Sequence, residues 1–207
     1  MIKKAALLVI SLAVILSSYS MAHANLLANS GFENGDFSGW GQWDVSNASI
    51  NNWGRSGSYS VSAWWSSGGW QDVVISDPNI QYTIGGYIYD DVSGNESLKD
   101  GASAMLKAEF KDSSLNIIGV YNFDNLTGEY LTDNAWNEKI ALVTPSDYGS
   151  NIAYMTLVWG VNNSGSGSGR AIFDDLSVDP VAVPEPASML LLGSGLLGMG
   201  LLGKRKK

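Results

Sequence analysis

The sequence has no cysteine and only one histidine, His23. Without cysteine the chain can form no disulfide and can offer no thiol nucleophile. His23 lies in a segment that we expect to be removed on export, which leaves no imidazole for a Ser-His-Asp triad or a zinc site. Two carboxylates could still hydrolyse a glycosidic bond, but acids are abundant and no pair stands out. We therefore expect a protein that is not an enzyme.

Basic residues are scarce in the central part of the chain. Six of the 12 lysines and arginines lie in the first 24 and last 24 residues, and Glu185 is the only acid there. The body between these ends carries 6 basic and 19 acidic residues, a net charge near -13. Such a body repels nucleic acids and anionic lipid headgroups, so we expect no nucleic-acid partner.

The first 24 residues have the three zones of a secretory signal peptide. A basic region at Lys3 and Lys4 precedes the apolar residues 5–16, and small residues end the segment at Ala24. The apolar run is too short to favour a membrane-spanning helix. We predict that signal peptidase cleaves between Ala24 and Asn25.

The last 24 residues have the organisation of a membrane anchor. After Pro184, Glu185 and Pro186 come an apolar, glycine-containing segment and four cations at 204–207. The segment at about 187–203 is close to the shortest helix that can cross a bilayer, and a basic flank stays on the cytoplasmic side. The pattern predicts one transmembrane helix with the body outside, joined to it by a short linker at 180–183.

The arrangement of Pro184, Glu185 and Pro186 before an apolar helix and a basic cluster resembles the PEP-CTERM sorting signal of Gram-negative bacteria. The resemblance covers residues 184–207. It implies an exosortase, a membrane cysteine protease, as a partner that cuts near this motif. It also implies a protein anchored in the inner membrane before sorting and found at the cell surface or in the extracellular matrix afterwards, often in organisms that make exopolysaccharide.

The body, residues 25–179, contains short runs of alternating side chains separated by clusters of Gly, Asn and Asp, with no long helical pattern. In one run Ala104, Leu106 and Ala108 alternate with polar residues, and in another Ile84 and Ile88 take the opposite parity to Tyr87 and Tyr89. Each run predicts a strand with two distinct faces. The pattern as a whole predicts an all-β sandwich.

Read in order, the body resembles the galactose-binding-like jelly roll of carbohydrate-binding modules. The segments that carry this resemblance are Asn25 to Glu33, Trp40, Arg55 to Val61, Trp70 to Val73, Gln81 to Tyr89, Ala108 to Asp112 and Ile172 to Val178. These segments cover most of the body, and the resemblance rests on the order in which they occur. The resemblance implies a jelly-roll β-sandwich that binds carbohydrate.

A structural Ca²⁺ is a second implication of this resemblance. Acids and other oxygen ligands are plentiful, and a domain without disulfides gains stability from a bound cation. In the resembling family an acid of the first strand, loop oxygens and an aspartate of the last strand hold calcium. Carried over to this chain, these positions are Glu33, Ser58 and Asp174, with Asp175 as the alternative acid.

Strand parity favours Asp174 over its neighbour, because Asp174 would share a face with Leu176 and Val178. In the alternative without calcium, Glu33 pairs with Arg55 and both aspartates are solvated.

All eight tryptophans lie in the body, which is more than a core of this size needs. Sugars present CH-rich faces that lie flat on aromatic rings, while nearby amides and acids orient their hydroxyls. Adjacent residues of a strand point to opposite faces, so at most one of Trp64 and Trp65 is in the core. The predicted ligand-contact residues are Trp64, Trp65, Trp70 and Gln71, with Tyr87 and Tyr89 extending the surface. In the alternative, Trp40, Trp53, Trp136 and Trp159 are core or loop-packing residues.

These features lead to one main hypothesis and two alternatives. The main hypothesis is an exported, non-catalytic surface or biofilm-matrix protein that binds extracellular polysaccharide. The first alternative is a structural or adhesive envelope protein that binds no sugar, and the second is a glycoside hydrolase or lyase.

Overall fold

The structure is a computed structural model that describes residues 25–93, 97–98, 101–163 and 169–181. The predicted signal peptide, the sorting motif and the predicted transmembrane helix lie outside these residues. Within the described ranges, no helix is long and apolar enough to cross a membrane.

The described chain forms ten strands in two antiparallel sheets of five, which confirms the expected β-sandwich. The strands are β1 (Gly41–Trp43), β2 (Ala48–Asn51), β3 (Ser60–Trp64), β4 (Gly68–Val74), β5 (Tyr82–Asp90), β6 (Ala102–Lys111), β7 (Ile117–Asn122), β8 (Trp136–Val143), β9 (Tyr154–Asn163) and β10 (Arg170–Pro180). We call the sheet with the order β1-β4-β9-β6-β7 the front sheet and the sheet with the order β2-β3-β10-β5-β8 the back sheet.

The core lies between the two sheets and follows the alternation seen in the sequence. In β6 every second residue from Ala102 to Phe110 is buried, and the residues between them are half-buried on the outer face. In β5, Ile84 and Ile88 are buried while Tyr87 and Tyr89 are half-buried. The inward rows of both sheets meet in one hydrophobic cluster.

Trp159 of β9 lies at the centre of the aromatic part of the core and is fully buried. Its ring contacts Phe32 and Trp40 edge-on, with centroids 5.7 and 6.2 Å away. Phe37 stacks on it at 6.4 Å, and Phe173 of β10 lies 5.5 Å away. The segment before β1 is therefore packed into the sandwich by its aromatic side chains.

The N-terminal end of the described chain lies against β10, and the C-terminal end lies beside the start of β5. The Asn25 side chain donates to Leu176 O at 2.7 Å and accepts from the Val178 amide at 3.1 Å. At the other end β10 runs to Pro180, into the segment predicted as a linker, and the Val181 amide donates to Gln81 O at 2.8 Å. Strand β10 and its pairing therefore include Pro180.

A bulge interrupts β10. Its register against β5 shifts between Asp174 and Ser177, and Asp175 adopts a left-handed φ of 47°. As a result Phe173 and Leu176 both face the core, although they are three residues apart. Asp174 is therefore on the opposite face from Leu176, and the parity argument that placed them together is wrong.

Candidate functional site

The residues predicted to contact a ligand do not share one surface. Trp70 alternates with the inward-facing Gln71 and points out of the front sheet. Tyr87 and Tyr89 point out of the back sheet, on the other side of the sandwich. The structure therefore separates the predicted set into two groups.

Trp64 and Trp65 lie where β3 gives way to a turn. The strand ends at Trp64, which is half-buried, and Trp65 and Ser66 adopt left-handed φ values of 63° and 86°. Trp65 is 53% exposed. The two side chains are thus not on opposite faces of one strand, because only the first belongs to it, and neither joins the core.

Gln71 faces inward and has a structural role. Its amide nitrogen donates to Ala28 O at 2.9 Å, and its amide oxygen accepts from the Ala28 amide at 2.6 Å. Both ends of the side-chain amide are thus used to attach the N-terminal segment to β4. The prediction that Gln71 contacts a ligand beside Trp70 is not supported by this geometry.

A groove of about 560 Å³ crosses the outer face of the front sheet. Its aromatic wall is formed by Trp43 and Trp70, whose rings stack at 6.2 Å with an interplanar angle of 22°. The Trp43 indole N–H donates to Ser66 O at 2.7 Å, which holds this ring in place. Its other lining residues include Met105, Lys107, Glu109, Lys111 and Val158.

Two glycines allow the indole rings to lie close to the sheet. A Cβ on Gly41 would come within 2.6 Å of the Trp70 ring, and a Cβ on Gly68 would come within 2.6 Å of the Trp43 ring. Any larger residue at these positions would push the aromatic wall outward. Sequence reasoning did not include Trp43 in the site. The feature that could have indicated it is Gly41, which lies opposite Trp70 in β1, but this pairing is known only from the strand register.

Charged side chains of β6 line the rest of the groove, and Asp72 of β4 is connected to them. Lys107 and Glu109 are 2.7 Å apart, and Lys111 lies 3.7 Å from Glu109 and 3.1 Å from Asp72. Thr156 of β9 donates a hydrogen bond to Asp72. Each acid thus has a lysine partner, and the groove offers fixed donors and acceptors next to an aromatic wall.

The outer face of the back sheet carries a second aromatic group. Trp53, from the loop after β2, packs against Tyr89 of β5 and Trp136 of β8. Trp53 is 42% exposed, so it packs from its loop against these rings without joining the core. Trp40 and Trp159, in contrast, are buried, as the alternative of core or loop-packing tryptophans proposed.

Glu33 and Asp174 hold the loop that precedes β3. The Glu33 carboxylate accepts from the amides of Ser58 at 2.8 Å and Tyr59 at 3.1 Å. The Asp174 carboxylate accepts from the amides of Arg55 at 2.7 Å and Ser56 at 3.3 Å. The residues named as calcium ligands therefore meet around one loop.

Arg55 pairs with Asp175, at 2.6 Å, rather than with Glu33. Asp175 also accepts from the Ser56 hydroxyl at 2.6 Å. Asp174 is fully buried, and this burial raises the pKa of Asp174 to about 6. The alternative with a Glu33–Arg55 pair and two solvated aspartates is therefore wrong.

Several oxygens converge beside Gly54. A Cβ at this residue would lie 2.7 Å from Asp174 Oδ2, 2.8 Å from Ser56 O and closer still to Tyr59 O. Among the described residues, no three His, Cys, Asp or Glu side chains are grouped as a metal site. A hard cation here would therefore need main-chain oxygens besides carboxylates, a mixed set that suits Ca²⁺.

Comparison with protein families matches one segment of the chain. Residues 182–206 match the family described as the PEP-CTERM protein-sorting motif. The chain thus carries this motif directly after its last described residue. No curated protein is significantly similar to the chain in sequence.

Solved structures share the sandwich at low sequence identity. TmCBM61, a carbohydrate-binding module solved in complex with β-1,4-galactotriose, is 18% identical with a TM-score of 0.54, over 76% of this chain and 99% of that one. An apo cyclase from Fischerella sp. is 13% identical with a TM-score of 0.57, over 79% and 100%. An arabinose-bound α-L-arabinofuranosidase, MgGH51, is 13% identical with a TM-score of 0.54, over 77% of this chain and 27% of that one. These likenesses show the fold.

Proposed function

We propose that this chain is an exported, non-catalytic protein that binds extracellular polysaccharide through the groove of the front sheet. The stacked Trp43 and Trp70 beside a connected row of charged groups carry this proposal. Indole faces cover the CH-rich sides of sugar rings, and fixed acids and ammonium groups bond their hydroxyls. The fold is then a galactose-binding-like jelly roll, and the similarity to a module that binds galactotriose supports the ligand class by analogy.

The charges of the groove favour a neutral glycan and argue against catalysis. Lys107 and Lys111 are already paired with Glu109 and Asp72, and the body as a whole is strongly acidic. An acidic polysaccharide would have to displace these pairs and would be repelled by the body. The same ion pairs occupy both acids, whereas a glycosidase needs one carboxyl group kept protonated as its general acid.

The localisation follows from the two ends of the chain. The signal-like N-terminus directs export, and the PEP-CTERM motif makes the chain a substrate of an exosortase. In this scheme the segment at about 187–203 anchors the protein in the inner membrane, and sorting then moves it to the cell surface or the biofilm matrix.

We also propose that Glu33 and Asp174, with main-chain oxygens of the Ser56 to Tyr59 loop, hold a structural Ca²⁺. The convergence of oxygens beside Gly54 and the buried acid at Asp174 support this assignment. Asp175 is occupied by Arg55, so it is the weaker of the two aspartate candidates. The ion would tie the first segment, the loop before β3 and the last strand together.

The replacement Trp70→Ala tests the groove. We expect polysaccharide binding to weaken at least fivefold, because the stacking of a ring on an aromatic side chain is worth about 1–3 kcal/mol. Affinity electrophoresis of the full-length protein, purified in detergent, in gels containing β-1,4-galactan, xylan or arabinan measures the change.

Trp65→Ala is the matched control, because it removes an exposed tryptophan of the same domain that lies outside the aromatic wall. We expect this variant to bind like the wild type. Equal retardation of the wild type and the Trp70 variant in every gel, with both proteins folded, would count against the groove. Failure of the wild type to bind any polysaccharide would favour the structural or adhesive alternative.

One observation favours that alternative. The edge strand β7 exposes Ile117, Ile118 and Val120 and has no charged residue between its ends. Exposed, uncharged edge strands can pair with other chains. If the wild type retains no glycan, this edge is the place to look for protein contacts.

A further inference from the structure

The back sheet carries an aromatic group that the front groove does not use. The rings of Trp53, Tyr89 and Trp136 contact one another pairwise, with centroid separations of 5.3, 5.4 and 5.8 Å. Tyr89 and Trp136 are directly opposed across β5 and β8, and Trp53 reaches them from the loop after β2. We call these three residues the back platform.

The back platform is open to solvent and has polar groups beside it. Trp53 is 42% exposed although it contacts two other aromatic rings. Next to it on the sheet, Tyr87 donates a hydrogen bond to Glu138, and the Arg55 guanidinium lies 3.5 Å from the centre of the Tyr87 ring. The hydrogen bond to Glu138 raises the pKa of Tyr87, so the phenol stays protonated at neutral pH.

These polar groups are already paired with one another. Arg55 is bonded to Asp175, and Glu138 is bonded to the Tyr87 hydroxyl. Among these residues the cation, Arg55, already has an acidic partner, so it is not available to attract an acidic ligand. The body around the surface is also negatively charged. An aromatic surface with an adjacent phenol and carboxylate is the chemistry that binds an uncharged sugar chain.

The loop that carries Trp53 is held on the C-terminal side of this residue. The amides of Arg55 and Ser56 donate to Asp174, and those of Ser58 and Tyr59 donate to Glu33. A loop fixed by four main-chain hydrogen bonds positions its side chains before a ligand arrives, which lowers the entropic cost of binding. The platform is thus a preorganised surface and not a chance contact of mobile side chains.

We propose that the back platform is a second saccharide-binding surface and that one domain therefore bridges two polysaccharide chains. The inference rests on the proposed function for the class of ligand. The outer faces of a sandwich point in opposite directions, and the two sheets are separated by about 10 Å. One short oligosaccharide cannot contact both surfaces, so occupancy of both joins separate chains or distant segments of one chain.

The test compares binding with cross-linking. The full-length protein is purified in detergent at one chain per micelle, checked by light scattering, and mixed with β-1,4-galactan, xylan or arabinan. We expect the wild type to increase the scattering of a polysaccharide that it binds, because it links chains. The variants are Trp53→Ala and Trp136→Ala for the platform, Trp70→Ala for the groove, and the double variant W53A/W70A.

The expected pattern identifies each surface separately. Each single variant should still bind the polysaccharide, at least fivefold more weakly for W70A, but should no longer raise its scattering. The double variant should lose binding at least a further fivefold relative to W70A. Two platform variants are used so that a folding defect in one, seen by its melting curve, does not decide the result.

The outcomes separate this inference from the proposed function. Cross-linking by both platform variants at the wild-type level would overturn the inference and leave groove binding intact. A complete loss of binding in W70A would also overturn the inference, because the back platform alone would then bind no polysaccharide. Absence of wild-type binding to all three polysaccharides would overturn the proposed function together with the inference.

Discussion

Replacing Trp159 with alanine is expected to lower the free energy of unfolding by about 3–5 kcal/mol. Trp159 is fully buried and contacts Phe32, Trp40 and Phe173, so the change removes the side chain that joins both sheets to the N-terminal segment. Domains of this size are stable by about 5–15 kcal/mol, so the variant should be marginal at 37 °C. Urea denaturation followed by circular dichroism measures the loss.

Two further variants show whether this loss comes from packing. In Trp159→Phe the aromatic contacts are largely kept, and the buried indole N–H, which has no hydrogen-bond partner among the described residues, is removed. We expect a cost of about 1–2 kcal/mol. Trp65→Ala, at an exposed turn, should cost less than about 1 kcal/mol. A similar loss of unfolding free energy in all three variants would contradict the prediction that Trp159 stabilises the core by its packing.

In calcium-free buffer, Asp174 is expected to make the domain less stable as the pH rises from about 4 to 6. Burial raises the pKa of Asp174 to about 6 in the folded state, whereas an unfolded aspartate has a pKa near 3.9. Below the pKa of the unfolded state the carboxyl group is protonated in both states and does not reduce the free energy of unfolding. Above the higher value it is ionised in both, and the folded state bears a cost on the order of 3 kcal/mol.

Added Ca²⁺ should cancel this cost, because a cation favours the ionised carboxylate. The comparison is the wild type against Asp174→Asn, by urea denaturation at pH 4 and pH 8, with and without 1 mM Ca²⁺. At pH 8, Ca²⁺ should stabilise the wild type by about 2–3 kcal/mol if the dissociation constant is near 10 µM, and it should leave the variant unchanged. Equal effects of Ca²⁺ on both proteins would refute the site.

The charged neighbours of Asp174 set the background of this experiment. Glu33 and Asp175 add negative charge near the site, and Arg55 compensates Asp175. Other aspartates behave oppositely, since side-chain hydrogen bonds lower the pKa of Asp44 and Asp112. The difference between wild type and variant removes their contribution, so the pH dependence of that difference reports on Asp174.

Much of the fold could be predicted from local pattern. The alternation in β5 and β6 assigned the correct face to each residue named in those runs. A strand buried on one side has only one way to place its row of apolar residues. The failure in β10 has a specific cause. A single extra residue at Asp175 reverses the parity after it, and no local signal marks that bulge in an Asp-Asp pair.

The site residues could be predicted only where they are close in sequence. Trp43 and Trp70 are 27 positions apart, and Trp53, Tyr89 and Trp136 come from three distant segments. These groups form through strand register, which the pattern of one strand does not determine. Gln71 shows the converse, because its neighbour Trp70 suggested a surface role while the pleat turns its amide toward Ala28.

The position of β10 determines how the domain responds to mechanical load. The sorting motif begins immediately after Val181, so a pull through the C-terminal tail acts along β10. This strand lies between β3 and β5, and Asn25 and Leu26 bond to its C-terminal half, next to the tail. A force along the strand loads these hydrogen bonds together, in shear, instead of opening them one after another. A chain held by its tail while force is applied to the domain would thus resist unfolding through a strand that is paired on both sides.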